Sequence, residues 1–309
     1  MNSLTIVGYT FVGFIIFLLV IFWSGLKRPV KSLAPDLPDV INAEQSANIR
    51  EESIGMKRAH LPVPVRDHLV SVFPEGQPST TTAVVWGIAR YRISGLWMPL
   101  RYETWCQSGN AFLRHLTFFW HGKTIIKGID FFLDSIGALQ ANGVIPMNES
   151  GKKVTESQWI SFWAESLVLG LVDLDDDRLK WKEAETGSVL LELPPFSEKE
   201  SCDACFLHLR FHAKTGRIET IKAQRYQGQL ATERISWFLH VKKWHQHETN
   251  WIPEYTVRWG NQRKPWCHYR VDGIRRDVPV DEMFQQVKPH QYEKDRLQSK
   301  KRGKQRIKR

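Results

Sequence analysis

Residues 83–132 read AVVWGIARYRISGLWMPLRYETWCQSGNAFLRHLTFFWHGKTIIKGIDFF. Val84–Ile93, Trp97–Cys106, Ala111–Gly122 and Lys123–Asp134 are rich in β-branched and aromatic residues and are separated by Gly-containing breaks, the pattern of short strands. In the second run Met98, Leu100, Tyr102 and Thr104 share one face, while Arg101, Glu103 and Trp105 share the other, because side chains alternate along a strand. Strands in direct succession predict an antiparallel meander.

The same pattern returns later in the chain. LKWKEA and SVLLELP lead into FLHLRFHA, where Leu207, Leu209 and Phe211 alternate with His208, Arg210 and His212. Lys214-Thr215-Gly216-Arg217 is a hairpin turn into RIETIKAQRY. ISWFLHVKKW aligns Ile235, Trp237, Leu239 and Val241, and YTVRWG and PWCHYRVD follow through Gly260-Asn261. The reading is about ten strands with no βαβ alternation.

Two helices interrupt the strands. One is short, from about Pro64 to Phe73, with Val65, Leu69 and Val72 on one face and Pro64 in its first turn. The other is expected over 156–170: Thr155-Glu156-Ser157-Gln158 has the form of a capping box, and Gly170 is a natural stop. Trp159, Phe162, Trp163 and Leu167 fall on one apolar face. The expected fold class is mainly β (α+β), a curled antiparallel sheet or open barrel with a helix laid over its concave face.

Ahead of this body, Thr5–Leu26 (TIVGYTFVGFIIFLLVIFWSGL) carries no charge. As a helix its 22 residues are about 33 Å long, against about 30 Å of bilayer hydrocarbon. A cleavable signal would need basic residues before the run and small ones after it, whereas here Lys27, Arg28 and Lys31 follow. The expectation is a single-pass membrane anchor. The expected organisation is anchor and basic flank 1–31, linker 32–57, β domain 58–285 and basic tail 286–309. The flanking charge favours a cytoplasmic domain.

The chain has 309 residues and a net charge of +10. Arg296–Arg309 holds eight basic residues and no acidic one. Together with the three basic residues after the anchor they outweigh the whole excess, so the folded part is near neutral and a nucleic-acid-binding face is not indicated. Lys300, Lys301 and Arg302 suit anionic lipid headgroups; a purely solubilising tail explains the same composition.

Metal and catalytic patterns are thin. Cys202-x-x-Cys205-x-x-His208-x-x-x-His212 lacks the long spacer of a zinc finger, and two His four apart on a strand lie roughly 13 Å apart. A disulfide or an inert loop fits Cys202 and Cys205 better. His240, His245 and His247 suit an exposed hairpin tip. Asp173–Asp177 lacks the later ligands of a calcium loop. No nucleophile elbow, phosphate loop or dinucleotide fingerprint occurs, and no cofactor is implied.

Tryptophan is the informative residue, with 13 in the chain. Such rings fill cores, and they also line apolar cavities. The ligand-lining candidates are Arg90, Trp120, Trp159, Trp163, Glu165, Arg225 and Trp237; for each of the three charged ones a surface or buried ion pair is the simpler account. The functional expectation is a membrane-anchored binder of an apolar or lipid-like ligand or a lipidated protein. The alternatives are a hydrolase using Glu165 or a histidine of the 240–247 cluster, and a scaffold acting through the basic tail.

Taken in order, PVPVRDHL, GLWMPL, FFWHGKTIIKGIDFFLDSIG, WAES, GRIETIKAQRY and WCHYRVDGI resemble an uncharacterised bacterial family of membrane-anchored proteins, over roughly Arg58 to Met283. That family is similar in shape to the open-barrel periplasmic lipoprotein carriers. The resemblance implies a concave apolar cavity and an extracytoplasmic domain, and it carries no active site over to this chain.

Overall fold

The computed structural model describes residues 3–35, 61–77, 80–143, 147–174, 176–184, 187–197, 203–247 and 250–289. Thirteen strands form one antiparallel sheet: β1 Thr82–Ile93, β2 Leu96–Gln107, β3 Ala111–Trp120, β4 Lys123–Leu133, β5 Ile136–Asn142, β6 Met147–Ser150, β7 Lys180–Glu183, β8 Ser188–Glu192, β9 Phe206–Phe211, β10 Ile218–Tyr226, β11 Arg234–His247, β12 Asn250–Trp259 and β13 Cys267–Arg276. Their spatial order is β6-β5-β4-β3-β2-β1-β13-β12-β11-β10-β9-β8-β7. Two meandering arms, β1–β6 and β7–β13, therefore join where β1 pairs with β13. Every sequential pair of strands is hydrogen-bonded except β6 and β7, which are the two free edges.

The helices are α1 Ser3–Lys27, α2 Val63–Val72, α3 Lys152–Leu169 and α4 Asp281–Gln285. The connection between the free edges is α3. It lies in the concavity and is buried on every side from Val154 to Leu169. Its apolar residues Trp159, Ile160, Phe162, Trp163, Leu167 and Val168 join the main core with the inward faces of both arms. Each such fully buried large side chain contributes about 1.5–3 kcal/mol. Gly137 allows the close approach of α3 to the β4–β5 hairpin, since a Cβ there would stand 2.6 Å from the Thr155 Cα.

The sheet's outer face is also partly covered. Met283 and Phe284 of α4 pack, with Val278, Val280 and Val287, on Val84, Trp105, Leu113 and Phe131. Burial on both faces explains why AFL and FFL in β3 and β4 are continuous apolar runs rather than alternating ones. Val287 is buried, so packing continues past the expected boundary at 285.

Several expectations need correction. Among the described residues the strands number 13, not about ten, because β6 (MNES) is four residues without an apolar alternation and β5 (IGALQAN) is short and rich in Gly and Ala. Helix α3 begins at Lys152 behind Gly151, with no side-chain cap. The capping box does not form: the Thr155 hydroxyl instead accepts the Gly137 N–H at 2.9 Å, and Glu156 pairs with Arg234. The stop at Gly170 holds: it is left-handed, φ 63°, with its N–H on the Ser166 and Leu167 carbonyls.

The stretch expected to span a membrane is helical. Among the described residues no helix is long and apolar enough to cross a membrane; the side chains of residues 1–11 and 13 fall outside the description. The basic tail, with Lys300, Lys301 and Arg302, and Cys202 also lie outside the described residues.

Candidate functional site

The concavity is not filled completely. Between α3 and the two arms lies a cavity of about 170 Å³, lined by Tyr91, Trp237, Trp259, Trp266 and Tyr269 and by the charged residues Arg114, Asp130, Glu165 and Arg225. A larger groove, about 540 Å³, runs along the outer face of β2–β5. Its walls are polar side chains such as Arg101, Glu103, His115 and Lys127, and Leu33–Pro35 of the chain's own N-terminal segment lies along it. The interior cavity holds the buried ionisable chemistry and is the candidate site.

Strand alternation builds one wall. Thr104, Arg114 and Asp130 stand opposite one another on β2, β3 and β4, all facing inward. Arg114 sits in a stripe with Phe112, Leu116 and Phe118, as a lone cation on an otherwise apolar face. Its guanidinium donates to Glu165 Oε2 at 2.6 Å, Thr104 Oγ1 at 2.9 Å, the Tyr269 hydroxyl at 3.1 Å and Asp130 Oδ2 at 3.4 Å. The Tyr255 hydroxyl donates to the same Glu165 oxygen at 2.9 Å. Tyr269 also shares a hydrogen bond with Tyr91. Nearby carboxylates hold Arg114 firmly charged against the pull of burial.

Asp130 is less well served. Its Oδ1 has no hydrogen-bond partner. Burial raises its pKa to about 6, and Arg114 only partly opposes this.

The opposite wall comes from β10, β11 and β12. Arg225 is 7% exposed and lies over the Trp237 ring at 4.7 Å and the Trp259 ring at 5.4 Å. Among the described residues its guanidinium makes no ion pair, and its Nε has no hydrogen-bond partner. Burial lowers its pKa to about 10. The indole N–H groups of Trp237 and Trp266 are likewise buried without acceptors.

Helix α3 is pinned over this space by its polar residues. Arg234 grips Glu156 at 2.7 and 2.9 Å, and the Ser157 hydroxyl donates to the Tyr226 carbonyl at 2.9 Å. The β10–β11 turn closes from the side, its Gln229 N–H donating to Glu149 at 3.0 Å. A helix buried all round can carry this many polar groups because they find partners on both arms.

The structure gathers Glu165, Arg225 and Trp237 at one cavity. It places the other four expected residues elsewhere. Arg90 is exposed on the outer face, because Ala89 and Tyr91 on either side of it point inward. Trp120 sits at the β3–β4 hairpin tip, its N–H on the Phe22 carbonyl of α1 at 3.2 Å. Trp159 fills the core against Phe132 and donates to the Pro194 carbonyl. Trp163 is fully buried on the far side of α3, near Gly109. Arg114, Asp130, Tyr255 and Tyr269 were not anticipated. A signal for the first two was present, since Arg114 and Asp130 each interrupt an apolar face.

Glu165 Oε2 is held by Arg114 and Tyr255, and among the described residues no histidine lines the cavity beside it. In the other cluster, His245 and His268 share Glu254 at 3.1 and 2.8 Å, and His240 meets Thr220 at 3.0 Å. Among the described residues no group of His, Cys, Asp and Glu is arranged to hold a metal ion.

A search of curated proteins returns no match. Among solved structures, similarity is found to a LolA-superfamily protein from Nitrosomonas europaea, at 9% identity and TM-score 0.40, covering 74% of this chain and 97% of that one. A DUF1329 family protein from Desulfovibrio piger is similar at 10% identity and TM-score 0.38, covering 72% and 95%. A putative outer membrane lipoprotein-sorting protein domain from Vibrio parahaemolyticus matches at 10% identity and TM-score 0.37, covering 76% and 96%. Residues 55–271 match a family of unknown function, DUF6544, and the chain belongs to that family.

Proposed function

We propose that this protein is a membrane-tethered binding module that takes one end of an apolar, lipid-like molecule into the cavity beneath α3. The observation that carries this reading is the aromatic-walled space of about 170 Å³ left inside a core that is otherwise packed. Well-packed interiors seldom leave such voids, whereas ligand sites are apolar pockets with a few fixed polar groups. The volume is below the roughly 300–1,000 Å³ of pockets that enclose a whole drug-sized ligand. The remainder of a lipid would leave over the half-buried rim, between Tyr91 and Trp266 on one side and Glu149, Tyr226 and Gly228 on the other.

The tether is α1. Its residues Val12, Phe14–Val20, Phe22 and Trp23 are apolar and exposed. So much bare hydrocarbon on one helix is unfavourable in water and favourable in a bilayer. Its last turns dock on the β3–β4 hairpin, through Trp120 and through a His121 ring nitrogen 2.8 Å from the Ile21 carbonyl. This contact holds the domain close to the membrane surface.

The test is mass spectrometry of apolar extracts from the purified full chain and from Ser161→Phe, which fills the cavity from α3. The wild type is expected to carry apolar molecules that the variant lacks. Equal recovery from the two proteins refutes the cavity as their site.

A further inference from the structure

We propose that the end of the ligand held in this cavity is an oxyanion, a carboxylate or phosphate, bound by Arg225 between the rings of Trp237 and Trp259. The inference rests on the cavity being a ligand site and adds the chemistry of the ligand's polar end.

The two buried arginines of the cavity are treated differently by the fold. Arg114 has four oxygen partners and its charge is answered by Glu165. Arg225 is as deeply buried, yet no oxygen accepts from its Nε; two indole faces lie against it, and Asp130, Glu165 and Glu156 attract its charge only from beyond ion-pair distance. A buried guanidinium without an oxygen acceptor is costly, because its N–H donors have given up water and the indole faces return only part of that loss. Such groups are normally paired, and an unpaired one that borders an open space calls for an occupant of that space.

The other unpaired atoms agree on the sign. Arg225 Nε and the Nε1 atoms of Trp237 and Trp266 are donors without acceptors on cavity-lining residues. The unpaired acceptor there is Asp130 Oδ1. Three donors to one acceptor favour a ligand rich in oxygen lone pairs. Neither Glu165 nor Asp130 lies within ion-pair distance of Arg225: Glu165 is committed to Arg114 and Tyr255, and Asp130 pairs with Arg114 at 3.4 Å. A guanidinium also presents the forked donor geometry that matches carboxylate and phosphate oxygens. The flanking indoles lie within cation–π distance of the guanidinium, and their faces offer no oxygen lone pair to its N–H donors.

The experiment is calorimetric titration of the full chain in nanodiscs with six-carbon probes that differ only at the head: hexanoate, hexyl phosphate, hexanol and hexylammonium. Acetate and inorganic phosphate are the tail-less arms. Hexanoate or hexyl phosphate is expected to bind at least tenfold more tightly than hexanol. Arg225→Gln is expected to abolish that preference, and Arg225→Lys to keep part of it. The wild-type ranking of the probes reads the proposal without relying on any variant.

Hexanol or hexylammonium binding as well as hexanoate would overturn the oxyanion assignment and leave the apolar reading intact. Acetate or phosphate binding as tightly as the tailed anions would uphold the anion site, identify a free anion as its occupant, and overturn the lipid-like reading. Failure of every probe to bind would overturn both.

Discussion

Replacing Arg114 with methionine should be among the most damaging single changes to this fold. The side chain is 7% exposed and is the hub of a network that joins β2, β3, β4, β13 and α3. Methionine keeps an unbranched apolar stem and removes the guanidinium with its charge. Glu165 then retains the Tyr255 hydroxyl but loses its counter-charge at 2.6 Å, and Asp130 loses the one cation that lies within ion-pair distance among the described residues. Breaking a buried pair by deleting one partner costs about 3–5 kcal/mol, because a desolvated charge is left unanswered. Urea unfolding of the full chain at constant detergent, followed by tryptophan fluorescence, measures the loss. Arg114→Met/Glu165→Leu should be less destabilised than the sum of its single changes, with a coupling of roughly 1–3 kcal/mol. A single-variant loss under about 1 kcal/mol, or strict additivity in the double variant, would refute the view that this pair ties the helix to the sheet.

Arg225 should behave in the opposite way. Burial lowers its pKa from 12.5 to about 10, a penalty on the charged form of roughly 3 kcal/mol, against which the two indole contacts return about 1–2 kcal/mol. Arg225→Met is therefore expected to unfold at the same or a higher urea concentration than wild type, and a marked drop would show that the side chain is satisfied. Asp130 gives a pH signature: its folded pKa of about 6 lies above the 3.8 expected of it unfolded, so stability is fullest below pH 3.8 and falls as pH rises to about 6. Asp130→Asn should remove that component, seen as a difference between the two stability–pH curves confined to this window; parallel curves would contradict it. His68 opposes this trend in the wild type, since burial lowers its pKa to about 3 and stability is lost as acid protonates it. For the tether, the full chain should stay in the membrane pellet after carbonate washing, and its release would end the single-pass reading. A C-terminal reporter then separates the cytoplasmic side, favoured by Lys27, Arg28 and Lys31, from the extracytoplasmic one.

The elements of this protein are written locally. Period-two alternation in 83–132 and 206–241 is a property of neighbouring residues, and it identifies the inward faces of β2, β9 and β11 without reference to anything distant. Gly170 stops α3 because a left-handed residue is needed at that point, and an uncharged 22-residue run at the N-terminus is helical for equally local reasons. Even the site left a local trace, in an arginine and an aspartate that each break an apolar stripe. What alternation cannot say is which inward residues meet. Arg114 and Tyr269 are 155 positions apart, and they touch because β1 pairs with β13 and brings the two arms together. Arg90 and Trp120 show the converse: both lie on well-read strands, yet one faces outward and the other caps a hairpin against α1. Thr155 fits a helix start by composition but spends its hydroxyl on Gly137, which only the descent of α3 into the concavity brings within reach. The cavity, the unpartnered Nε of Arg225 and the grip of Arg114 and Tyr255 on Glu165 arise from long-range packing, because each depends on surfaces contributed by distant parts of the chain.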